Sequence, residues 1–418
     1  MKIKSMHLKH YRCFEDFSIN FDDRLTVLVG VNGAGKTATL DALSVFLKGA
    51  GNSITTKNLY CYMMKSDVAI GIEHENMEYH LELCGNADDL NSIPVDLKFK
   101  TIGQNTIESW YVENISIIEQ SKPVLAAYMA GRFVHESESI LINRVQANSI
   151  NPVYANNFDR KIDYASTLQW FSDVDADEAR AMRDRGQKDE LPELKAIREA
   201  LTKALLGRYD RPSMQGSPPE LIVYEKGTDR RFKVSQLSDG YRSMLALVMD
   251  LARRMAQSRT DEIKTEGSLL GVPAIVLIDE VELHLHPSWQ QTVLTTLLEI
   301  FPNTQFIVTT HSPQVLTSIE SRHIRILSEG KAYGVNEQTQ GAKASQLLKH
   351  IFGVEPRPQN LEIVKILEKY SNLVYNDKWD TAEAIELRKT LDAHYGKDEP
   401  SLFELDLHIE NKKWESGL

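Results

Sequence analysis

Apolar and polar positions alternate at the start of the chain, in Ile3, Met6, Leu8 and Tyr11 and again in Phe17, Ile19 and Phe21. That rhythm predicts two half-buried antiparallel strands. The pattern changes at Leu25–Val29, a short and almost continuous apolar run followed at once by a glycine-rich turn. Such a run marks a strand buried on both faces. Beyond the turn, Leu40, Leu43, Phe46 and Leu47 recur at helical spacing until Lys48-Gly49 closes the helix. From about residue 55 to 135, short alternating segments predict strands and hairpins, at Val68–Ile72, Met77–Leu83, Val95–Phe99 and Ser109–Val112.

Between about 140 and 215 the pattern becomes helical and charged, in Glu178–Arg185 and Glu190–Leu206, until Gly207 and Pro212 break it. A helical lobe inserted in a sheet domain is expected there. Residues 241–257 predict a strongly amphipathic helix, and 258–270 a polar loop. A buried strand at Ala274–Ile278, a helix around Ser288–Ile300 and a buried strand at Gln305–Thr309 then form a β-α-β unit of a parallel sheet. The segment past Gly341 is mainly helical by pattern.

Composition narrows the class. The chain has 418 residues, 42% hydrophobic and 26% charged, enough for a large core and outside the disordered range. Its three cysteines, Cys13, Cys61 and Cys84, form no C-x-x-C pair, which points to a reducing compartment and away from structural zinc. The opening Met1-Lys-Ile-Lys lacks the apolar core of a leader, and no run reaches the roughly 18 apolar residues that cross a bilayer. A cytoplasmic location is therefore expected. The net charge of -11 gives no global attraction to nucleic acid, so such contact needs a local patch or a partner. The basic clusters Arg180, Arg183, Arg185 and Arg230, Arg231, Lys233 fit solvated faces as well as they fit such a patch.

The chemistry begins at Gly30-Val-Asn-Gly-Ala-Gly35-Lys36-Thr37, which matches G-x-x-x-x-G-K-[ST] between a buried strand and a helix. Glycines let successive N–H groups of Asn32, Gly33, Ala34 and Gly35 wrap phosphates. Lys36 reaches the outer phosphates and Thr37 ligates magnesium, with Thr39 close behind on the helix. The strand Ile275–Ile278 ends in Asp279-Glu280. Strand alternation aims these acids differently, so Asp279 suits the magnesium shell and Glu280 the attacking water. His311 follows the next strand, at the edge where open α/β sheets bind ligands, and is placed to contact the γ-phosphate. Leu237-Ser238-Asp239-Gly240-Tyr241 precedes the amphipathic helix. Glu282, His284 and His286 also suggest a metal set, but alternate residues share a face only on a strand.

In that order the motifs resemble the ABC ATPases, over roughly residues 1–335. The resemblance implies that Ser238, Asp239 and Gly240 of one copy close over ATP held by Lys36, Thr37, Asp279, Glu280 and His311 of another, giving a homodimer or a higher oligomer. Ile3-x-x-Met6-x-Leu8-x-x-Tyr11-Arg12-Cys13-Phe14, with Asn32, is similar to the SMC, RecF and OLD-like heads and implies phosphate contacts for Arg12 and Asn32. The glutamine loop of the family has no clear counterpart; Gln120 and Arg132 are candidates. The implied fold is α/β: an ABC-type P-loop ATPase head of mixed sheet, with an antiparallel β subdomain and an inserted helical lobe, spanning 1–335. A helical C-terminal appendage at 336–418 completes it, as a candidate docking region.

The long gap between phosphate loop and signature carries no sustained heptads, which excludes a coiled-coil tether. The tail has no Asp-x-Asp pair, so no nuclease domain is expected within it. It carries Leu348-Lys-His-Ile-Phe-Gly353, then Trp379-Asp-x-x-Glu383-Ala-x-x-Leu387, then Leu405 through Trp414. This resembles the PtuA-type ATPases of Septu and retron-linked anti-phage systems, which implies an ATP-controlled sensor and scaffold beside a separate HNH endonuclease of the PtuB type. Retron RNA or DNA, or phage DNA, would be met directly or through that partner. Trp379 and Trp414 are candidate docking aromatics. A RecF-like repair ATPase is the alternative reading, and a transporter's nucleotide-binding subunit a more distant one.

Overall fold

Buried strands set the frame of this protein. The computed structural model describes residues 2–44, 47, 67–74, 77–84, 96–101, 124–130, 164–185, 190–216, 219–258, 268–396 and 399–415. The chain divides into two compact units, Met1–Leu347 and Leu348–Leu418. That division falls beyond the boundary expected at 335/336.

In the first unit β1 (Lys2–Tyr11), β2 (Phe14–Asn20), β4 (Asp67–His74), β5 (Met77–Cys84) and β6 (Asp96–Thr101) form an antiparallel sheet in the order β2-β1-β4-β5-β6. A six-stranded sheet joins β3 (Leu25–Val29), β7 (Val124–Tyr128), β11 (Ala274–Ile278), β12 (Thr304–Thr309), β13 (Ile324–Ser328) and β14 (Lys331–Gly334). Its order is β14-β13-β3-β12-β11-β7, parallel except at the β14 edge. Every residue of β3, β7, β11 and β12 is buried, as strands covered on both faces require. Gln305, fully buried in β12, accepts from Ile3 N–H at 2.8 Å and donates to the carbonyls of Ile3 at 2.7 Å and Asp22 at 2.9 Å, stitching the two sheets together.

The parallel register carries the site. Ile278 pairs with Val308, and Leu28 with Thr309, so the loops after β3, β11 and β12 leave the sheet at one end. A helix, α1, over residues 36–44 follows the first of these loops.

The expected lobe is helical in α2 (Tyr164–Arg185) and α3 (Pro192–Ala204), where Arg198 gathers Asp175, Glu178 and Glu190. Its far end needs correction. Residues Tyr209–Gln215 form strand β8, which with β9 (Glu220–Glu225) and β10 (Arg231–Lys233) makes a three-stranded antiparallel sheet. Pro212 reads as a helix breaker in the sequence, yet it sits in an edge strand where pairing slips between Asp210 and Ser213, so its missing N–H breaks no ladder. Within the basic clusters, Arg180 pairs with Asp177, Arg230 with Glu225 and Lys233 with Glu220. Ser109–Val112 and the first part of the lobe lie outside the described residues.

Helix α4 (Asp239–Ser258) begins two residues before its expected start. The helix expected around Ser288–Ile300 is two helices, α5 (Pro287–Gln290) and α6 (Val293–Ile300). A short α7 (Pro313–Leu316) follows β12, and α8 (Ala344–His350) reaches the second unit.

In that unit α9 (Glu362–Tyr375), α10 (Ala382–Tyr395) and α11 (Pro400–Glu415) close on Leu367, Tyr370, Val374, Ala384, Leu391, Leu402 and Leu405. Arg388 forks onto both oxygens of Asp406 and also reaches Asp392 at 2.9 Å. Trp379, expected as an exposed docking aromatic, packs against this core, whereas Trp414 is 86% exposed.

Candidate active site

Two glycines make the loop after β3 possible. A Cβ on Gly30 would stand 2.5 Å from the Leu327 carbonyl, and one on Gly35 would stand 2.2 Å from the Phe14 ring; both residues have positive φ. The loop is thus pressed against β13 on one side and the Tyr11–Phe14 turn on the other. Asn32, Gly33 and Thr37 are left exposed, Ala34 and Gly35 half-buried.

Lys36 is buried, and its Nζ donates to the loop's own carbonyls, Gly30 at 2.8 Å and Val31 at 3.0 Å. Burial lowers its pKa below the usual value, opposed by the charges of Asp279, Glu280 and Glu282. The ammonium therefore already faces three carboxylates. Thr37 donates its hydroxyl to Asp279 Oδ2 at 3.3 Å. The phosphate loop and the acidic strand end are joined by that bond.

Asp279 is buried, and its Oδ1 accepts the Thr309 hydroxyl at 2.6 Å. The next residue, Glu280, has φ +48°, a left-handed conformation unusual for a non-glycine residue. Its N–H donates to Thr309 Oγ1 at 2.8 Å, and the Val281 N–H donates to the Thr309 carbonyl at 3.0 Å. His311 is exposed, with its backbone N–H on Glu282 Oε1 at 2.6 Å. The other Glu282 oxygen is buried with no hydrogen-bond partner. Ser312 donates to Gln290 at 2.6 Å, fixing the same turn from behind.

Lys36, Thr37, Asp279, Glu280 and His311 thus share one end of the sheet. Other expected site residues stand differently. Arg12, in a left-handed turn, is ion-paired with Asp41 on the helix after the loop, and desolvation of the guanidinium is outweighed by the neighbouring Tyr11 and Asp41. Thr39 requires correction: it has no exposed surface with which to meet a phosphate, and its hydroxyl donates back to the Gly35 carbonyl at 3.0 Å. Gln120 and Arg132 lie outside the described residues.

Ser238 and Asp239 are exposed at the start of α4, with Asp239 ion-paired to Arg242. Gly240 is pressed onto the loop after β11, where a Cβ would stand 2.8 Å from the His284 carbonyl. Tyr241 meets the edges of Trp289, ring centroids 4.0 Å apart, and Tyr209 at 5.5 Å. His286 accepts from the Ser288 N–H at 3.3 Å and so caps α5. Sequence reasoning missed Thr309, Gln290 and Trp289, and weighed Glu282 only as a metal ligand. Only the position of Thr309, beside Asp279 in a parallel strand pair, offered a signal.

A family model described as "AAA ATPase domain" matches residues 1–169. Another, described as "AAA domain" and associated with AbiEii toxin and a type IV TA system, matches residues 115–317. The retron Ec83 probable ATPase of Escherichia coli is 28% identical, over 99% of this chain and 88% of its own. The retron Vc95 probable ATPase of Vibrio cholerae serotype O1 biovar El Tor is 25% identical, over 94% and 88% respectively. The Septu protein PtuA of Bacillus thuringiensis is 20% identical, over 88% of each chain. With AAA ATPase family models over both parts of the head and relatives named as probable ATPases along nearly its whole length, the chain is an ATPase similar to the ATPases of retron and Septu defence systems.

Proposed function

We propose that this ATPase binds ATP with Mg2+ between two copies of itself, and that closure of the resulting dimer controls a partner HNH endonuclease in an anti-phage defence system. The observation that carries the reading is Lys36, its ammonium held on the Gly30 and Val31 carbonyls in front of Asp279, Glu280 and Glu282. A triphosphate would replace those carbonyls as its partner.

The oxygen donors present fit a small hard cation. The Thr37 hydroxyl and the Asp279 carboxylate already lie 3.3 Å apart. Mg2+ bound there supplies charge neutralisation to the outer phosphates. Glu280 accepts the proton of the attacking water as its oxygen bonds to the γ-phosphorus, and the bond to ADP breaks. His311 orients the γ-phosphate and that water. Asn32, Gly33, Ala34 and Gly35 offer backbone N–H groups to the phosphates, and Arg12 adds charge at the rim. From the second copy, exposed Ser238 and Asp239, with Gly240, present the N-terminus of a 20-residue helix to the γ-phosphate.

The second unit, with Trp414 exposed, is the proposed docking surface for the nuclease. Replacement of Glu280 by Gln tests the core of the reading. It is expected to keep ATP binding, lose phosphate release by orders of magnitude and accumulate as a closed dimer in size-exclusion chromatography. Hydrolysis at the wild-type rate would refute the role of Glu280. Co-purification with an HNH protein supports the defence role, whereas salt-sensitive binding to gapped DNA without such a partner would favour a RecF-like repair role.

A further inference from the structure

One buried threonine holds three consecutive residues of the acidic strand end. Thr309 is fully buried at the end of β12, one step beyond the paired residues Ile278 and Val308, and so stands beside Asp279. Its hydroxyl donates to Asp279 Oδ1 at 2.6 Å and accepts from the Glu280 N–H at 2.8 Å, and its carbonyl accepts from the Val281 N–H at 3.0 Å. A hydroxyl is among the few side-chain groups able to donate and accept at once, so no hydrocarbon of the same shape replaces it.

The arrangement restrains two different degrees of freedom. The donated bond fixes the rotation of the Asp279 carboxylate, which leaves Oδ2 facing Thr37. The accepted bond holds the Asp279–Glu280 peptide in the orientation that gives Glu280 its left-handed φ of +48°. Left-handed backbone at a non-glycine residue persists where surrounding bonds over-determine it. Here those bonds come from Thr309 and its carbonyl.

We propose that Thr309 is a positioning residue for ATP turnover, setting through one hydroxyl both the rotation of the magnesium-binding carboxylate of Asp279 and the backbone that aims Glu280. It touches neither substrate nor metal. The inference rests on the proposed roles of Asp279 and Glu280, and it adds a third residue on which both depend. The restraint acts on both carboxylates, so its loss shows as weaker Mg2+ binding and slower turnover together, with ATP affinity retained through Lys36.

Four variants of the full chain separate the possibilities. Thr309→Val keeps the shape and removes the hydroxyl, and is expected to lower kcat by about 10–100-fold and raise the Mg2+ concentration for half-maximal turnover, as loss of a group that orients a ligand does. Thr309→Ser keeps the hydroxyl and removes a methyl, and is expected to retain turnover and Mg2+ dependence near wild type. Thr309→Ala differs from Ser by the hydroxyl alone, which keeps the comparison valid if the Val variant fails to fold. A packing role predicts the reverse order, with Val harmless and Ser impaired. Val with wild-type kcat and Mg2+ dependence, or Ser as impaired as Ala, overturns the proposal. Glu280→Gln is the fourth: if it turns over normally, the assignment of the acids is wrong; if it is inactive while Thr309→Val is normal, only the role of Thr309 falls.

Discussion

Burial and charge pull in opposite directions at Lys36. Its buried ammonium sits on two carbonyls and faces Asp279, Glu280 and Glu282, so desolvation lowers its pKa while the carboxylates work to keep it charged. On the proposed reading, removing it takes charge-assisted bonds from the phosphates, each of about 1.5–3 kcal/mol. Lys36→Ala is accordingly expected to weaken ATP binding by about tenfold or more, measured by equilibrium nucleotide titration. Unaltered affinity would show that the phosphates lie elsewhere. Lys36, Thr37, Asp279 and Glu280 were legible in the sequence because each lies in a contiguous motif at a strand end. Thr39 was misread because a hydroxyl four residues past a loop carbonyl can bond back to it, which spacing alone does not reveal. Glu282 and Thr309 acquire meaning only through partners far away in sequence, His311 and Asp279.

At the scale of elements, α4 carries both the signature and a buried polar network. Asp250 is 1% exposed and bonds Arg253 and Arg254, each at 2.7 Å, and accepts from the Tyr128 hydroxyl at the end of β7 at 2.9 Å. Burial works to raise the Asp250 pKa, but Arg254 and Arg253 outweigh it and hold the carboxyl below its usual range. Burial, with the charge of Asp250, pushes Tyr128 well above 10.0. The network ties the signature helix to the strand beside Asp279, whose N–H donates to the Tyr128 carbonyl at 2.8 Å. Asp250→Ala removes the carboxylate shared by two buried guanidinium groups and is expected to cost about 3–5 kcal/mol, read from the urea midpoint. Because the folded pKa of Asp250 is depressed, its contribution is complete above its unfolded value, near 3.8, and is lost as pH falls through the folded one. A midpoint within error of wild type would mean the network carries no net stability. The amphipathic period of α4 announced the helix, but no pattern in it reveals that the Tyr128 hydroxyl meets Asp250 on the other side.

For the whole molecule, the proposed site is completed by a second copy, and mixing two inactive variants tests that directly. Lys36→Ala supplies an intact signature and Ser238→Arg an intact phosphate loop, so mixed dimers hold one sound pocket. Partial recovery of phosphate release on mixing is expected, whereas the sum of two dead activities would place the complete site within one chain. No described helix is long and apolar enough to cross a membrane, and the net charge of -11 leaves contact with nucleic acid to local surfaces or a partner. The sequence by itself determined what local rules control: strands from alternation and apolar runs, the phosphate loop from glycines that permit positive φ, helix α4 from its period, and the class of chemistry from the order of the motifs. Only the tertiary structure decided what depends on neighbours distant in the chain. It turned the end of the lobe into the β8–β10 sheet, because an edge strand tolerates Pro212; it packed Trp379 into a core; and it set the Thr309 hydroxyl against Asp279 and Glu280. The physical reason is that periodicity reports which face is buried, whereas parallel pairing of strands about thirty residues apart decides which polar groups meet there.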